Sequence, residues 1–278
     1  MTGVVGQLPA VASIPPPPVT VFELGPVDVH VFGIVVAVAV LAGITVTRRR
    51  YARFGGDPEL IDGILVKSVL AGFVGARLAY VSTNLDRYVE HPLGVVMIWN
   101  GGLALFGGLT VGTAVAVWLA RRACVDVSAF AAAAAVGVPL AQAIGRPADY
   151  FSQELYGTPS TLPWAVQVPP ASRPEGFAEA ATFHPAFFYE SLWSLAIVAA
   201  VVWLERSGRL TGGRLFFVYM AAYGTGRFVL EQIRTDTTFQ LLGLSRNGWV
   251  ALLLTLAAAA ALWFGQVRSR AVLDRTVA

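Results

Sequence analysis

Residues 27–47 read VDVHVFGIVVAVAVLAGITVT, and arginines follow at positions 48, 49, 50 and 53. A helix that crosses the hydrocarbon core of a bilayer needs about 20 mainly apolar residues. Basic residues collect in the short loops on the cytoplasmic side of a membrane. The stretch therefore predicts a transmembrane helix whose carboxyl end lies at the cytoplasmic surface.

The composition of the whole chain also indicates a membrane protein. Of its 278 residues, 56% are hydrophobic and 13% are charged, whereas soluble domains average about 45–50% and about 25%. So few charges would leave the surface of a water-soluble domain largely apolar, and a disordered chain needs the opposite composition. A single cysteine excludes an intramolecular disulfide framework and a thiolate metal cluster.

Six further segments have the length and apolarity of a membrane span, so we predict an all-α, polytopic protein with seven transmembrane helices. The membrane domain is expected to cover residues 27–266, with an external loop insertion at about 147–184. A proline-rich external tail, residues 1–26, precedes it, and a cytoplasmic tail, residues 267–278, follows. The predicted spans are residues 27–47, 61–83, 94–120, 127–146, 185–204, 213–233 and 247–266.

The arginines of the loops predict the orientation of these spans. Twelve arginines lie in loops on the side reached after the first span, and four lie on the opposite side. The N-terminus is therefore expected outside and the C-terminus in the cytoplasm, as an odd number of spans requires. We expect the arginine excess to face anionic lipid headgroups and predict no binding of nucleic acid.

Four basic residues remain within the predicted spans or at their edges: Lys67, Arg77, Arg146 and Arg227. A charge at the bilayer centre costs about 2.5–3.5 kcal/mol on insertion scales, so such residues face a partner or a wet cavity. For Lys67 and Arg77, a structural ion pair or snorkelling towards the headgroups remains open.

The sixth predicted span carries a polar stripe. Tyr223, Arg227, Glu231 and Arg234 follow one another at helical spacing and share one face, whereas the opposite face is apolar. Arg227 and Glu231 could form a self-sufficient pair, but two arginines around one glutamate leave positive charge. A phospholipid phosphate would satisfy it, because the guanidinium fork matches phosphate oxygens.

A second polar cluster follows the fourth predicted span. Arg146 stands directly before Pro147, which ends the helix, and Asp149 and Glu154 follow in the external loop. An exposed loop with an arginine at a helix carboxyl end remains the alternative. Glu190, at the start of the fifth span, must be either paired or functional.

Taken together, these motifs resemble the prolipoprotein diacylglyceryl transferase family over nearly the whole chain. The resemblance implies seven spans with an external N-terminus in the bacterial cytoplasmic (inner) membrane and an active site towards the outer leaflet. The matching motifs are Gly145-Arg146, Glu154-Leu155-Tyr156-Gly157, Pro163-Trp164, His184-Pro185 with Tyr189-Glu190, Ile98-Trp99-Asn100-Gly101-Gly102 with Gly107-Gly108, and Tyr223-Gly224 with Arg227, Glu231 and Arg234.

The family transfers the diacylglyceryl group of phosphatidylglycerol to the lipobox cysteine of a prolipoprotein signal peptide and releases glycerol 1-phosphate. By this resemblance, Arg146 and Arg227 hold the lipid headgroup, Glu231 orients Arg227, and Glu154 or Asp149 relays the thiol proton. Neither a metal nor another cofactor is expected, and the partners are phosphatidylglycerol, the signal peptide and membrane lipids. The further residues that the resemblance implies at the substrate site are Gly102, Gly107, Gly157, Tyr189, Tyr223 and Arg234.

The chain departs from the family pattern at several positions. Phe32 stands where the family's first span usually carries a tyrosine, and Phe106 stands where many members have a histidine. Loss of that histidine removes the obvious general base. A member that binds lipid or signal peptide without turnover is therefore one alternative. A transporter is another, although the odd span count and the absence of inverted repeats disfavour it.

Overall fold

The computed structural model describes residues 13–25, 27–89, 92–97, 102, 104–174, 176–235 and 240–277. The chain is mostly helical. Its α-helices are α1 Val31–Arg53, α2 Pro58–Thr83, α3 Asp86–Val89, α4 Leu105–Arg122, α5 Val127–Gly145, α6 Ala148–Ser152, α7 Ala186–Arg206, α8 Arg214–Glu231 and α9 Arg246–Val277. Short antiparallel ribbons pair β1 Val21–Leu24 with β2 Val27–His30, β3 Val166–Gln167 with β4 Thr182–Phe183, and β5 Gln240–Leu241 with β6 Leu244–Ser245.

Within the described residues, five helical segments are long and apolar enough to cross a membrane. The predicted multi-pass helical architecture is therefore confirmed. Helix α4, which ends on Arg121 and Arg122, and helix α8, which contains Arg214, Arg227 and Glu231, are not among the five. The five segments are Val31–Arg53, Pro58–Thr83, Val127–Ser152, Ala186–Arg206 and Arg246–Gly265.

Two predicted spans begin later than expected. Residues 27–30, placed in the first span, form strand β2 instead, and the amide of Val31 donates to the carbonyl of Thr20 at 2.9 Å before α1 begins. The predicted third span began at residue 94, but Pro92–Val96 is a 3₁₀ helix and α4 begins only at Leu105. The family-like residues 98–101 lie outside the described residues, as does the side chain of Phe106.

Part of the predicted N-terminal tail is bound to the predicted external loop. The amide of Ile14 donates to the carbonyl of Ala165, and the amide of Gln167 donates to the carbonyl of Ile14, each at 2.8 Å. The hydroxyl of Tyr150 donates to the carbonyl of Pro15 at 2.6 Å. Residues 13–15 thus belong to the loop's structure, while residues 1–12 lie outside the described part.

The chain divides into two compact units. One unit, Val46–Ala133, has a core built around Tyr51, Ile61 and Phe130. In it α2 and α4 approach closely through glycines: a Cβ added at Gly75 would lie 2.7 Å from the carbonyl oxygen of Gly107. Such small residues allow helix backbones to pack in contact within a membrane.

The other unit combines Met1–Thr45 with Ala134–Ala278. Helices α8 and α9 approach at Gly224, where an added Cβ would lie 2.9 Å from the carbonyl oxygen of Ala251. The predicted external loop has its own apolar cluster, which anchors it on the start of α7. The buried members of this cluster are Tyr156, Val166, Val168, Phe183 and Phe187.

Candidate functional site

Three arginines converge on the carboxylate of Glu190 in the first part of α7. Arg146, directly after α5, places Nε 2.7 Å from Oε2 of Glu190. Arg227 of α8 places Nη1 2.8 Å from Oε1, and Arg234, beyond the end of α8, places Nη1 3.2 Å from the same oxygen. The predicted meeting of Arg146 with the stripe of the sixth span is therefore present, with Glu190 as the common partner.

A second carboxylate fixes Arg227 from its own helix. Oε2 of Glu231 lies 2.8 Å from Nη2 of Arg227, one helical turn away, as the stripe predicted. The hydroxyl of Ser245 donates to Oε1 of Glu231 at 2.6 Å and accepts from the amide of Gly248 at 2.9 Å. Glu231 is therefore held on both sides, which restricts the positions open to Arg227.

The charges of this cluster balance more fully than the sequence predicted. Oδ2 of Asp149 in α6 lies 3.3 Å from Nη1 of Arg146. Three arginines thus face three carboxylates, because Glu190 and Asp149 join Glu231. The sequence predicted a surplus of positive charge because it placed two arginines around Glu231 alone. With Asp149 and Glu190 included, the cluster does not have that surplus. Its more accessible cations are Arg146, whose side chain is 19% exposed, and Arg227, at 12%.

A small, partly open pocket adjoins these arginines. One end carries the charged groups of Arg146, Glu190 and Arg227, and the walls include the apolar side chains of Trp193 and Leu230. Tyr223, predicted at the substrate site, also lines it. The lining of the pocket therefore combines charged and apolar side chains.

Gly157 and Arg234 join the predicted external loop to the end of α8. The two residues form an antiparallel bridge, and the amide of Gly157 donates to the carbonyl of His184 at 2.9 Å. A Cβ added at Gly157 would lie 2.9 Å from the Cβ of His184 and 3.0 Å from the carbonyl oxygen of Ile233. Gly157 thus allows the close backbone approach that positions Arg234. Burial raises the pKa of the neighbouring Tyr156 hydroxyl above its usual value.

Tyr189, another predicted site residue, belongs to a separate polar chain at the start of α7. Its hydroxyl accepts a hydrogen bond from Nε1 of Trp164 at 2.9 Å and lies 3.0 Å from Nδ1 of His184. These contacts tie the motif residues 163–164 to residues 184–185. The described contacts of Tyr189 do not include the arginine cluster.

Glu154 is exposed and accepts a hydrogen bond from the hydroxyl of Ser152 at 2.9 Å. It has no arginine among its described contacts, in contrast to Asp149. The structure thus separates the two carboxylates that the sequence offered as alternatives for proton transfer. One is tied to Arg146, and the other faces solvent.

Gly102 and Gly107 lie in the Val46–Ala133 unit, where each has a structural role. The carbonyl of Gly102, a residue with φ +79°, accepts from Nη1 of Arg77 at 2.8 Å. Arg77 also donates to the carbonyls of Gly94, Val95 and Met97. A Cβ at Gly107 would overlap Ala79. The assignment of Gly102 and Gly107 to substrate binding stays a prediction, and Arg77 is held by backbone carbonyls of the same unit.

The sequence did not indicate that Glu190 and Ser245 belong to the cluster, or that Trp193 lines the pocket. Glu190 was singled out as a carboxylate inside a span but was not joined to the arginines, and Ser245 gave no signal because a serine is common anywhere. Trp193 looks in sequence like an ordinary lipid-facing tryptophan. Among the described residues, no group of three or more His, Cys, Asp or Glu side chains could hold a metal ion.

Comparison with known proteins matches residues 19–264 to the family described as prolipoprotein diacylglyceryl transferase. Phosphatidylglycerol–prolipoprotein diacylglyceryl transferase 2 of Streptomyces coelicolor is 39% identical over 255 residues, 90% of this chain and 80% of the relative. The corresponding proteins of Frankia alni and Corynebacterium diphtheriae are 42% and 34% identical, over 90% and 93% of this chain and 67% and 96% of their own length. The resemblance found in the motifs is confirmed, and the chain belongs to the prolipoprotein diacylglyceryl transferase family.

Proposed function

We propose that this protein transfers the diacylglyceryl group of phosphatidylglycerol to the lipobox cysteine of prolipoproteins and releases glycerol 1-phosphate. The observation that carries the proposal is the meeting of Arg146 and Arg227, from separate helices, on one carboxylate beside an open pocket. The pocket lies in a protein rich in apolar, membrane-length helices. Relatives that carry the name of this transferase support the reaction class.

The proposed setting is the bacterial inner membrane, with seven spans and an external N-terminus. We count helices α4 and α8 as the remaining two spans, since each has 18 residues. A short connection leads from α4 into α5, and another leads from α7 into α8. The arginine-rich loops then face the cytoplasm. Arg146 and Arg227 stand near the outer ends of their helices, so the pocket opens towards the outer leaflet.

The two arginines are proposed to clamp the lipid phosphate. Glu190 bridges the guanidinium groups and holds them at a spacing at which one oxyanion can contact both. Guanidinium forks match phosphate oxygens well, and their positive charge stabilises the negative charge that grows on the leaving phosphate. Glu231 keeps Arg227 in place through the 2.8 Å ion pair, so little reorganisation is needed during the reaction.

In the proposed reaction the thiolate of the acceptor cysteine forms a bond to the glyceryl carbon, and the bond between that carbon and the phosphate oxygen breaks. The leaving group departs as glycerol 1-phosphate. The thiol proton must be accepted by a base, because the thiolate is the nucleophile. We assign this role to Glu154, since the charge of Asp149 is already used by Arg146, and an exposed Glu154 can pass the proton to water.

A direct assay tests this proposal. Purified protein in detergent is mixed with phosphatidylglycerol and a synthetic lipobox peptide, and the mass of the peptide is followed. We expect the mass to rise by one diacylglyceryl group, with glycerol 1-phosphate formed in equal amount. A peptide of unchanged mass, with phosphatidylglycerol bound to the protein, would instead indicate a member that binds lipid without turnover.

A further inference from the structure

Trp193 forms the apolar wall of the pocket next to the charged end. Its indole Nε1 donates to the carbonyl of Ala222 on α8 at 2.9 Å, so the ring is fixed across the gap between α7 and α8. The side chain is 40% exposed, and it lines the pocket with Leu230. A tryptophan that lines the pocket and is also partly exposed can contact a ligand that extends out of the pocket.

Gly226 is the residue that makes room for this indole. A Cβ added there would overlap Nε1 and Cδ1 of Trp193, so any other residue at position 226 requires the ring to move. Gly226 is buried and follows Tyr223 by one turn, just before Arg227. The fixed position of Trp193 beside Arg227 therefore depends on a glycine that the helix itself does not need.

The depth of the ring fits the part of a phospholipid that lies below its phosphate. Glu190, which contacts Arg227, precedes Trp193 by three residues in α7, so at a rise of 1.5 Å per residue Trp193 stands about 4.5 Å further from the start of that helix. A phosphate held by Arg227 therefore has the indole a few ångströms deeper. In an outer leaflet this is the level of the glyceryl esters and the first acyl carbons.

We propose that Trp193 is a specificity-determining residue that binds the first acyl carbons of the donor lipid. The hydrogen bond to Ala222 and the close approach to Gly226 hold the indole in place. In that position it favours binding of a lipid with two acyl chains over a headgroup that carries no chains. This inference rests on the proposed transferase function. The contact is present before and during the reaction alike, so it lowers the KM for lipid and leaves kcat nearly unchanged.

The test measures KM and kcat for dioleoyl phosphatidylglycerol, and inhibition by glycerophosphoglycerol, which has the same headgroup and no chains. For Trp193→Ala we expect a KM about 10-fold higher, the effect of a few methylenes in an apolar pocket, with kcat and inhibition by the headgroup unchanged. Trp193→Phe keeps a ring and loses the hydrogen bond, so its KM should lie between the two. Trp203→Ala, at an exposed tryptophan near the other end of α7, is the matched control and should keep the parent KM.

A double-mutant cycle separates this role from general packing. Gly226→Ala should raise KM in the parent protein by displacing the indole, yet it should add nothing in the Trp193→Ala background. The inference is overturned if Trp193→Ala leaves KM unchanged, if headgroup inhibition weakens by the same factor, or if the two substitutions add. If the parent protein transfers no lipid, native mass spectrometry of bound dioleoyl phosphatidylglycerol applies the same comparisons, so the two proposals can fail separately.

Discussion

At the residue scale, Glu190 decides how the arginines are arranged. A buried carboxylate inside an apolar helix is retained only when nearby positive charge offsets its lost hydration. Glu190 is 7% exposed and meets guanidinium groups from three separate segments of the chain. This carboxylate in turn offsets part of the buried charge of each arginine. The cluster is therefore mutually dependent, and removal of its centre should affect structure and activity together.

Glu190→Gln is the first prediction. The amide keeps the shape of the side chain but leaves the buried arginines without its charge, so we expect a loss of about 3 kcal/mol in the free energy of unfolding. Thermal unfolding in detergent checks this value. The lipid transfer rate should fall in parallel, because the two guanidinium groups separate. An unchanged stability would show that water or Asp149 compensates the arginines.

Glu154→Gln is the matched variant for Glu190→Gln, with a different expected result. Glu154 is exposed, so the stability should change by no more than about 0.5 kcal/mol. If Glu154 accepts the thiol proton, the transfer rate should fall by about 10²–10⁴-fold. Raising the pH should partly restore the rate, since the acceptor thiol then ionises unaided. A variant with full activity at neutral pH would contradict the assignment.

The proposed phosphate clamp makes a prediction for Arg227→Lys and Arg146→Ala. Each change removes donors aimed at the phosphate, and loss of one such donor typically lowers the rate by about 10²–10³-fold. Both proteins should still insert in the membrane. Arg48→Lys is the control, because Arg48 pairs with Asp62 on an exposed surface. Full activity in both cluster variants would refute the clamp.

Some of these residues could be predicted from the sequence and others could not, for a physical reason. Arg227 and Glu231 share a helix, so their spacing alone predicted the pair that the structure shows. Glu190 and Arg146 meet through the packing of α7 against the end of α5, which no local spacing encodes. The partner of Glu231 across the chain, Ser245, is equally non-local.

At the element scale, glycines determine how closely α2 and α4 pack. Gly75 and Gly107 face each other so closely that a side chain on either would meet backbone or a neighbouring side chain. Backbone cannot move aside as the end of a flexible side chain can. The separation of the two helices is therefore set by residues without side chains. Replacing either glycine with a larger residue should push the helices apart.

Gly107→Val tests this packing. Because the added atoms would overlap Ala79 and the Gly75 carbonyl, we expect a destabilisation of about 1–3 kcal/mol by overpacking. Gly63→Ala provides the control: Gly63 lies in α2, the helix that packs against α4, and an added Cβ there meets nothing within 4 Å. Alanine should stabilise the helix by about 0.5–1 kcal/mol. Thermal unfolding in detergent measures both, and equal shifts for the two variants would contradict close packing at Gly107.

Helices were predictable as elements, whereas the small ribbons were not. An apolar run of about 20 residues specifies a helix by its length, so α2, α5, α7 and α8 begin within three residues of the predicted spans. Strand β2 is four residues long, its two valines alternate with Asp28 and His30, and it was read as the start of the first span. Its pairing with β1 depends on the turn at Gly25, with φ +64°, which the apolar pattern does not report.

At the scale of the whole molecule, charge distribution and helix order together set the proposed orientation. Arginines follow α1, α4 and α7, and the external loop follows α5. A chain of seven spans places these two groups of connections on opposite sides of the membrane. The positive-inside rule then assigns the arginine-rich side to the cytoplasm. The single cysteine, Cys124, lies on that side, exposed between α4 and α5.

Cys124 thus offers a direct test of the orientation. In intact cells a membrane-impermeant maleimide should leave Cys124 unlabelled, and labelling should appear once the membrane is permeabilised. Thr161→Cys combined with Cys124→Ser provides the opposite marker, because Thr161 is exposed in the external loop, and it should be labelled in intact cells. Labelling of both sites from the same side would require an even number of spans between residues 124 and 161. Since α5 is the one helix of membrane length between these two positions, that result would mean that α5 does not cross the membrane, and the proposed position of Arg146 at the outer leaflet would be wrong as well.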